Sequence, residues 1–217
     1  MKKEVLKCIS DSRVIVIVRK LKDEFLIPTA EAMYRGGIRL IEITFDPAGT
    51  FSEGTTLHQI EMLRSRFGSD LHIGAGTVLT ARQAEAAHSA GASFIISPNT
   101  DPSVIAVTNA MDMVSIPGAM TPTEILQAHT AGADLVKIFP AAELGVEYFR
   151  AVLAPLNHIK VIAVGGIDDR NMRAFLEAGA VAVGAGSCIV RRDAIAEGEF
   201  NEITLHARRM TELSLKI

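Results

Sequence analysis

The segment Ala131-Gly132-Ala133-Asp134-Leu135-Val136-Lys137-Ile138-Phe139 decides the fold, because it joins a helix stop directly to a short apolar strand. Glycine just past a helix can take the left-handed conformation that ends it, and the apolar run that follows is too short for a helix. A helix followed by a buried strand, when repeated, indicates parallel strands joined by crossover helices. The junction recurs at Arg35-Gly36-Gly37-Ile38 before Leu40–Thr44, Ala90-Gly91-Ala92 before Phe94–Ser97, and Ala178-Gly179-Ala180 before Val181–Gly184.

Outward from these junctions, the chain supplies eight strand candidates: Val14–Val18, Leu40–Thr44, His72–Gly76, Phe94–Ser97, Met113–Ile116, Leu135–Phe139, Lys160–Val164 and Val181–Gly184. Helices are predicted over Glu24–Tyr34, Leu57–Phe67, Ala81–Ala90, Thr123–Ala131, Val146–Leu153 and Asn171–Ala178. Thr80 and Thr121-Pro122 are typical helix starts. The 217 residues therefore predict one α/β domain over residues 1–217, a closed (β/α)8 TIM barrel near the lower end of its length range. A doubly wound open sheet is the alternative, but the first strand lacks the Gly-x-Gly-x-x-Gly turn of dinucleotide-binding sheets.

Composition and charge exclude several classes of protein. Hydrophobic residues make up 48% of the chain and charged residues 22%, and the net charge of −3 argues against nucleic acid as the main partner. No segment reaches about 18 uninterrupted apolar residues, so we expect no membrane span. Met1 to Lys7 lack the apolar region of a signal peptide, and the two cysteines lie far apart in the chain. We therefore expect a cytoplasmic protein with reduced thiols.

Lys137 is the most unusual residue at the carboxyl ends of the predicted strands, where a barrel carries its active site. It lies in an otherwise apolar strand, on the same face as Leu135 and Phe139. Burial disfavours the ammonium form and lowers the lysine pKa, which an amine nucleophile attacking a carbonyl requires. A structural ion pair, or a lysine that extends to solvent from the strand end, is the alternative interpretation.

Glu42 strengthens the catalytic interpretation of Lys137. It lies in the apolar strand Leu40-Ile41-Glu42-Ile43-Thr44, on the face shared by Leu40 and Thr44. A carboxylate beside an amine in a closed barrel can move protons for a nucleophile. A buried salt bridge is a weak stabiliser once desolvation is counted, so stability alone explains the pair poorly.

Two glycine-rich loops predict an anion site. Val164-Gly165-Gly166-Ile167 follows the seventh strand candidate, and Gly184-Ala185-Gly186-Ser187 follows the eighth. Glycines let backbone N–H groups approach an anion, Ser187 adds a hydroxyl donor, and these loops are the habitual phosphate site of the barrel. Tight turns also use glycine, so each loop alone is weak support and the two together are moderately specific.

Other candidates are less specific. Thr77, after Ile73-Gly74-Ala75-Gly76, could donate to a carboxylate, and Arg19 could face an anionic substrate or solvent. Cys188 is interpreted as a packing residue, because no histidine is placed to activate it. We expect no protein-bound metal, since the six histidines form no His-x-His or His-x-x-x-His pair.

These segments, in order and spacing, resemble the 2-keto-3-deoxy-6-phosphogluconate / 4-hydroxy-2-oxoglutarate aldolase family over nearly the whole chain. The resemblance implies a class I aldolase with Lys137 as the Schiff-base lysine and Glu42 as the general acid/base. It also implies Thr77 and Arg19 near the pyruvyl carboxylate, a pocket lined by Pro98 and Phe139, and a phosphate held by Gly165, Gly166, Gly186 and Ser187. A small phosphorylated keto acid as substrate, no cofactor or metal, and a homotrimer follow from the same resemblance. The segments are Ile41-Glu42-Ile43-Thr44, Gly74-Ala75-Gly76-Thr77-Val78, Ile96-Ser97-Pro98-Asn99, Ile116-Pro117-Gly118, Lys137-Ile138-Phe139-Pro140-Ala141, Val164-Gly165-Gly166-Ile167 and Gly186-Ser187.

Two positions depart from the gluconate-specific pattern of that family. Asp46 stands where an arginine is usual and should repel a carboxylate, which leaves Arg19 as the cationic partner. Val164 stands where a threonine is frequent and resembles the galactonate-derived branch. The configuration of the substrate at C4 is therefore open. An epimerase or isomerase of sugar phosphates and a non-catalytic sensor of a phosphorylated keto acid are the rival hypotheses.

Overall fold

Helices and short strands alternate along the computed structural model of the chain, which describes residues 1–215. The strand bounds differ from the predicted ones by one residue or none, except around Pro117. The strands are β1 (Val14–Val18), β2 (Leu40–Thr44), β3 (His72–Gly76), β4 (Phe94–Ile96), β5 (Val114–Ile116), β6 (Gly118–Ala119), β7 (Val136–Ile138), β8 (Val161–Val164) and β9 (Ala182–Ala185).

All strand pairs are parallel, and the sheet has the order β5-β4-β3-β2-β1-β9-β8-β7-β6. The two outermost strands, β5 and β6, are consecutive in the chain and separated only by Pro117. Proline has no backbone N–H and interrupts the ladder, yet its carbonyl accepts the Lys137 N–H at 2.8 Å. The segment from β5 to β6 therefore pairs with β4 on one side and β7 on the other, which closes the sheet into a barrel of eight strand positions.

The predicted strand Met113–Ile116 is thus corrected: one strand position is made of two pieces that flank Pro117. The eight-fold α/β barrel predicted from the repeated junctions is confirmed.

Eleven helices accompany the strands within residues 1–215, and the six predicted ones are among them. Their bounds are α1 (Lys2–Ser12), α2 (Asp23–Arg35), α3 (Glu53–Phe67), α4 (Ala81–Ser89), α5 (Pro102–Ala110), α6 (Pro122–Thr130), α7 (Ala141–Leu144), α8 (Val146–Leu153), α9 (Met172–Glu177), α10 (Arg192–Ala196) and α11 (Phe200–Ser214). None of them has the length and apolar character needed to cross a bilayer.

Polar side chains cap α3, α4, α5 and α6, four of the helices that follow strands. The predicted caps are present: the Thr80 hydroxyl accepts the Gln83 N–H at 3.2 Å, and Thr121 forms a capping box with Glu124. Asp101 caps α5 in the same way, accepting the Ser103 N–H at 2.8 Å. Such caps satisfy N–H groups that have no partner within the helix and so fix where each helix leaves its loop.

Two apolar cores follow from the alternation of side chains along the strands. One lies between the sheet and the surrounding helices and contains residues such as Ile41, Ile73 and Val136. The other fills the amino-terminal half of the barrel interior, where Leu40 and Phe94 are fully buried and Val5 and Ile9 of α1 close the end. This second core leaves only the carboxyl end of the barrel open to a ligand.

Candidate active site

A cavity of about 910 Å³ opens at the carboxyl ends of the strands. It brings together all ten residues proposed from the sequence as catalytic or substrate-binding. They are Arg19, Glu42, Thr77, Pro98, Lys137, Phe139, Gly165, Gly166, Gly186 and Ser187. The sequence did not identify Asp168, Arg170 and Arg192, which also line the cavity.

The amine of Lys137 and the carboxylate of Glu42 are both buried in this cavity. Lys137 lies in β7 and is 7% exposed, and Glu42 lies in β2 and is 2% exposed. Gly76 of β3 makes room for the carboxylate, because a Cβ at that position would lie 1.6 Å from Glu42 Oε1. Two strands on different sides of the barrel thus direct an amine and an acid into one cavity.

Burial sets the protonation of this pair. Desolvation raises the pKa of Glu42, although the positive charges of Lys137 and Arg19 oppose the rise. Desolvation likewise lowers the pKa of Lys137; the Glu42 charge opposes this shift, and Arg19 adds to it. Glu42 Oε2 is buried and has no hydrogen-bond partner among residues 1–215. Both shifts favour the uncharged forms, a free amine beside a carboxylic acid, which is the state a nucleophilic lysine needs.

Phe139 forms one wall of the site. The Lys137 Nζ lies 4.8 Å from the centre of its ring. Phe139 also lies against the loop after β8, since a Cβ at Gly165 would be 3.0 Å from the ring. The ring therefore lies next to both the lysine and the glycine loop.

Arg19 and Thr77 meet at the mouth of the cavity. An Arg19 Nη2–H donates to Thr77 Oγ1 at 3.4 Å. Thr77 has a φ of 55°, a left-handed conformation that costs a β-branched residue on the order of 1–3 kcal/mol. This strained turn holds the hydroxyl beside the guanidinium, where the two can bind one carboxylate.

The loop after β8 carries two consecutive glycines with left-handed backbone conformations. Gly165 and Gly166 have φ values of 98° and 69°, which favour glycine. Their carbonyls are occupied: Gly165 O accepts the Ala142 N–H at 3.0 Å, and Gly166 O accepts the Asn171 side-chain amide at 2.8 Å. Within residues 1–215, the N–H groups of Gly165, Gly166 and Ser187 donate to no backbone carbonyl. These donors remain for a ligand, as in the backbone nests that bind phosphate.

Asp46 and Cys188 have roles outside the chemistry. Asp46 pairs with Lys20 at 3.1 Å and accepts the N–H groups of Ala48 and Phe51, and it does not line the cavity. Lys20 and the two N–H groups thus neutralise the charge of Asp46 locally. The expected repulsion between Asp46 and a substrate carboxylate is therefore not supported. Burial raises the pKa of the Cys188 thiol to about 11, and the thiol lies 3.5 Å from the Ile167 carbonyl. It is a neutral packing group at pH 7.

The family model that matches the chain and several similar proteins are aldolases. The family model described as KDPG and KHG aldolase matches residues 5–206. A 2-dehydro-3-deoxy-phosphogluconate aldolase of Treponema pallidum (strain Nichols) is 32% identical over 96% of this chain and 97% of that protein. A probable 2-dehydro-3-deoxy-6-phosphogalactonate aldolase of Rhizobium meliloti (strain 1021) is 35% identical over 82% of this chain and 81% of that protein. A KDPG aldolase structure from Legionella pneumophila, with pyruvate captured at low pH as a covalent carbinolamine intermediate, superposes with a TM-score of 0.81 at 29% identity. That match covers 94% of this chain and 96% of the other.

Proposed function

The chain belongs to the KDPG and KHG aldolase family and is therefore a lyase, and we propose that it cleaves its substrate through an imine on Lys137. The proposed substrate is 2-keto-3-deoxy-6-phosphogluconate or a close 2-keto-3-deoxy acid, and the products are pyruvate and glyceraldehyde 3-phosphate. The observation that carries the proposal is the buried amine of Lys137 beside the buried carboxyl of Glu42 at the open end of the barrel.

The reaction begins when the neutral Lys137 amine attacks the C2 ketone. The resulting carbinolamine loses water, with the proton supplied by the Glu42 carboxylic acid, and an iminium forms. The Glu42 carboxylate then removes the C4 hydroxyl proton as the C3–C4 bond breaks, and the bonding electrons pass to the iminium to give an enamine. Glu42 returns the proton to C3, and water hydrolyses the iminium to release pyruvate and the free lysine.

The rest of the cavity supports substrate binding at both ends. Arg19 and the Thr77 hydroxyl are proposed to bind the carboxylate next to the ketone, with Pro98 and Phe139 as apolar walls. Gly165, Gly166, Gly186 and Ser187 are proposed to bind the phosphate through backbone N–H groups and the serine hydroxyl. The substrate would then span from β1 to the loops after β8 and β9, with Lys137 between its two charged ends.

A galactonate-derived substrate is the second candidate. Val164 precedes Gly165-Gly166 and lines the cavity as an apolar residue, where a threonine would offer a hydroxyl. The similarity to both a gluconate-derived and a probable galactonate-derived aldolase fits either substrate. Pyruvate release should be compared for the gluconate-derived, galactonate-derived and unphosphorylated acids; the highest kcat/KM identifies the configuration at C4.

A homotrimer in the cytoplasm is the proposed working form. The trimer rests on the family resemblance, and the two cysteines without a disulfide partner fit a reducing compartment. Light scattering behind a sizing column should give about three times the 23.3 kDa chain mass, and a monomer or dimer mass would contradict the trimer.

Borohydride trapping tests the proposed chemistry directly. Borohydride added with pyruvate should reduce the imine and leave a stable adduct, which peptide mass spectrometry should locate on Lys137. An unmodified Lys137, or an adduct on another lysine, would overturn the mechanism. Unchanged activity in Lys137→Ala would instead support an epimerase or isomerase, and tight ligand binding without turnover would support a sensor.

A further inference from the structure

The cavity contains positive charge that no carboxylate in it neutralises. Three arginines line it: Arg19, Arg170 and Arg192. Arg170 is neutralised, because its Nε donates to Asp168 Oδ2 at 2.8 Å and the two side chains form an ion pair. Lys137 and Glu42 together add no net charge in either protonation state. Arg19 and Arg192 therefore leave about two uncompensated positive charges in a protein whose net charge is −3.

Arg192 contrasts with the arginine next to it. The Arg191 side chain pairs with Asp193 and does not line the cavity. Arg192 forms no ion pair with any carboxylate of residues 1–215, and its Nη2 donates only to the Arg19 carbonyl at 3.4 Å. A guanidinium has five N–H donors, so this one bond leaves most of the donors of the exposed Arg192 side chain available to a ligand.

Chain connectivity places Arg192 beside the loop that is proposed to bind the phosphate. It begins α10, a few residues after Gly186 and Ser187, and it bonds to the Arg19 carbonyl just beyond β1, the strand next to β9. Arg19 is already beside Thr77, the proposed carboxylate site. The backbone N–H groups of the glycine loops carry no net charge, whereas a phosphate monoester carries about −1.5 to −2 at pH 7. Among residues 1–215, Arg192 is a cavity-lining arginine that pairs with no carboxylate and does not lie at Thr77.

We propose that Arg192 binds the substrate phosphate and sets the preference for phosphorylated over unphosphorylated keto acids. The inference rests on the proposed function and assigns one guanidinium to each end of the substrate: Arg19 to the carboxylate and Arg192 to the phosphate. Guanidinium and phosphate match in geometry and charge, so the contact is stronger than a neutral hydrogen bond.

Kinetics with a matched pair of variants test this assignment. Arg192→Gln should lower kcat/KM for the phosphorylated keto acid by about 10- to 100-fold, chiefly through KM, since a charge-assisted hydrogen bond is lost. The same variant should leave kcat/KM for the unphosphorylated acid unchanged. Arg191→Gln removes the same charge one residue away and should leave both substrates unaffected. An equal loss with both substrates, or no loss with the phosphorylated one, would overturn the proposal.

Ligand binding separates this inference from the proposed aldolase activity. Calorimetry with 3-phosphoglycerate and with glycerate measures the phosphate contact without turnover. Wild type and Arg191→Gln should bind 3-phosphoglycerate more tightly than glycerate, and Arg192→Gln should lose that difference. If the wild-type protein fails borohydride trapping, the aldolase proposal falls while this binding result still decides the role of Arg192. Equal binding of the two ligands by the wild type would refute the phosphate contact.

Discussion

The two ends of the barrel interior are built from the same strands and differ completely in chemistry. At the amino-terminal end, Leu40 and Leu135 are buried in an apolar core that α1 closes. Two residues further along the same strands, on the same face, stand Glu42 and Lys137. A distance of two residues along the chain thus separates the packed core from the reactive site. Residues at the first end stabilise the fold, whereas those at the second are retained at a cost in stability.

That cost is visible in three features of the carboxyl end. Two ionisable groups are buried there, and Glu42 Oε2 has no partner among the described residues. Thr77 holds a left-handed backbone conformation. Buried polar atoms without partners and strained backbone each destabilise a fold, and here they occur together in one cavity. Variants at the two ends should accordingly separate activity from stability.

Lys137→Met should give the largest effect on activity. Methionine keeps most of the side-chain volume but cannot form an imine, so we expect kcat to fall by about 10³-fold or more, as for loss of other catalytic nucleophiles. The free energy of unfolding should change by less than about 1.5 kcal/mol, because burial raises the pKa of Glu42 and so favours the uncharged acid that remains beside the methionine. Steady-state kinetics and urea unfolding measure the two quantities.

A lysine at the other end of the barrel is the matched control for Lys137. Lys160 is exposed just before β8, and Lys160→Met should retain full activity and full borohydride trapping. Cleavage by Lys137→Met at more than a few per cent of the wild-type rate would show that the imine forms elsewhere.

Ile9→Ala should give the opposite result, a loss of stability with normal chemistry. Ile9 is fully buried where α1 closes the amino-terminal end, so the substitution should lower the free energy of unfolding by about 2–5 kcal/mol. The milder Ile9→Val should cost about 0.5–1.5 kcal/mol. Kinetic constants of both folded variants should match the wild type in urea-free buffer. A drop in kcat that follows the lost stability would mean that the two ends are coupled.

The sequence predicted the carboxyl end better than the amino-terminal end. Strand periodicity places Glu42 and Lys137 inside the barrel, and glycines mark the anion loops, so these positions follow from local patterns. The closure by α1 could not be predicted in the same way, because only Val5 and Ile9 of that helix are buried and its remaining residues are largely polar. Its position depends on the tertiary fit between the helix and the barrel end.

Residues at the starts of α9 and α10, which follow loops, were missed for a related reason. Arg191 and Arg192 are adjacent in the chain, and the turn at residues 187–190 decides which one faces the cavity. Asn171 was predicted only as a helix start, yet its side chain holds the Gly166 carbonyl. Side-chain direction in a loop follows no fixed period, so such roles become visible only in three dimensions.

Glu42→Gln should slow the reaction and shift its pH dependence. Loss of the acid/base should lower kcat by about 10²- to 10³-fold. The negative charge of Glu42 raises the pKa of Lys137 against the effect of burial, so its removal should lower that pKa further. Imine formation needs the neutral amine and increases as pH rises through the lysine pKa. The low-pH limb of the trapping rate should therefore move to lower pH in the variant.

The trapping experiment distinguishes a catalytic from a purely structural Glu42. The rate of pyruvate adduct formation should be measured from pH 5 to 9 in wild type and Glu42→Gln. A limb that stays in place or moves to higher pH would contradict the electrostatic coupling between the two side chains. Unchanged kcat in the variant would remove Glu42 from the mechanism.

Thr77→Gly should give the smallest effect and tests whether backbone strain belongs to function. Glycine adopts a φ of 55° without strain, which recovers about 1–3 kcal/mol, but it loses about 0.5–1 kcal/mol through greater freedom in the unfolded chain. The free energy of unfolding should therefore rise by about 1 kcal/mol, while loss of the hydroxyl should raise KM by several-fold.

Asp112→Gly offers the matched change, because Asp112 also has a φ of 55° and precedes β5 at the amino-terminal end. It should gain similar stability with no change in KM, since its exposed ion pair with the N-terminus contributes little. If Thr77→Gly were less stable than wild type by more than about 1 kcal/mol, the hydroxyl would be stabilising the fold. The strained turn at Thr77 would then contribute to stability, as the residues of the amino-terminal end do, rather than to substrate binding.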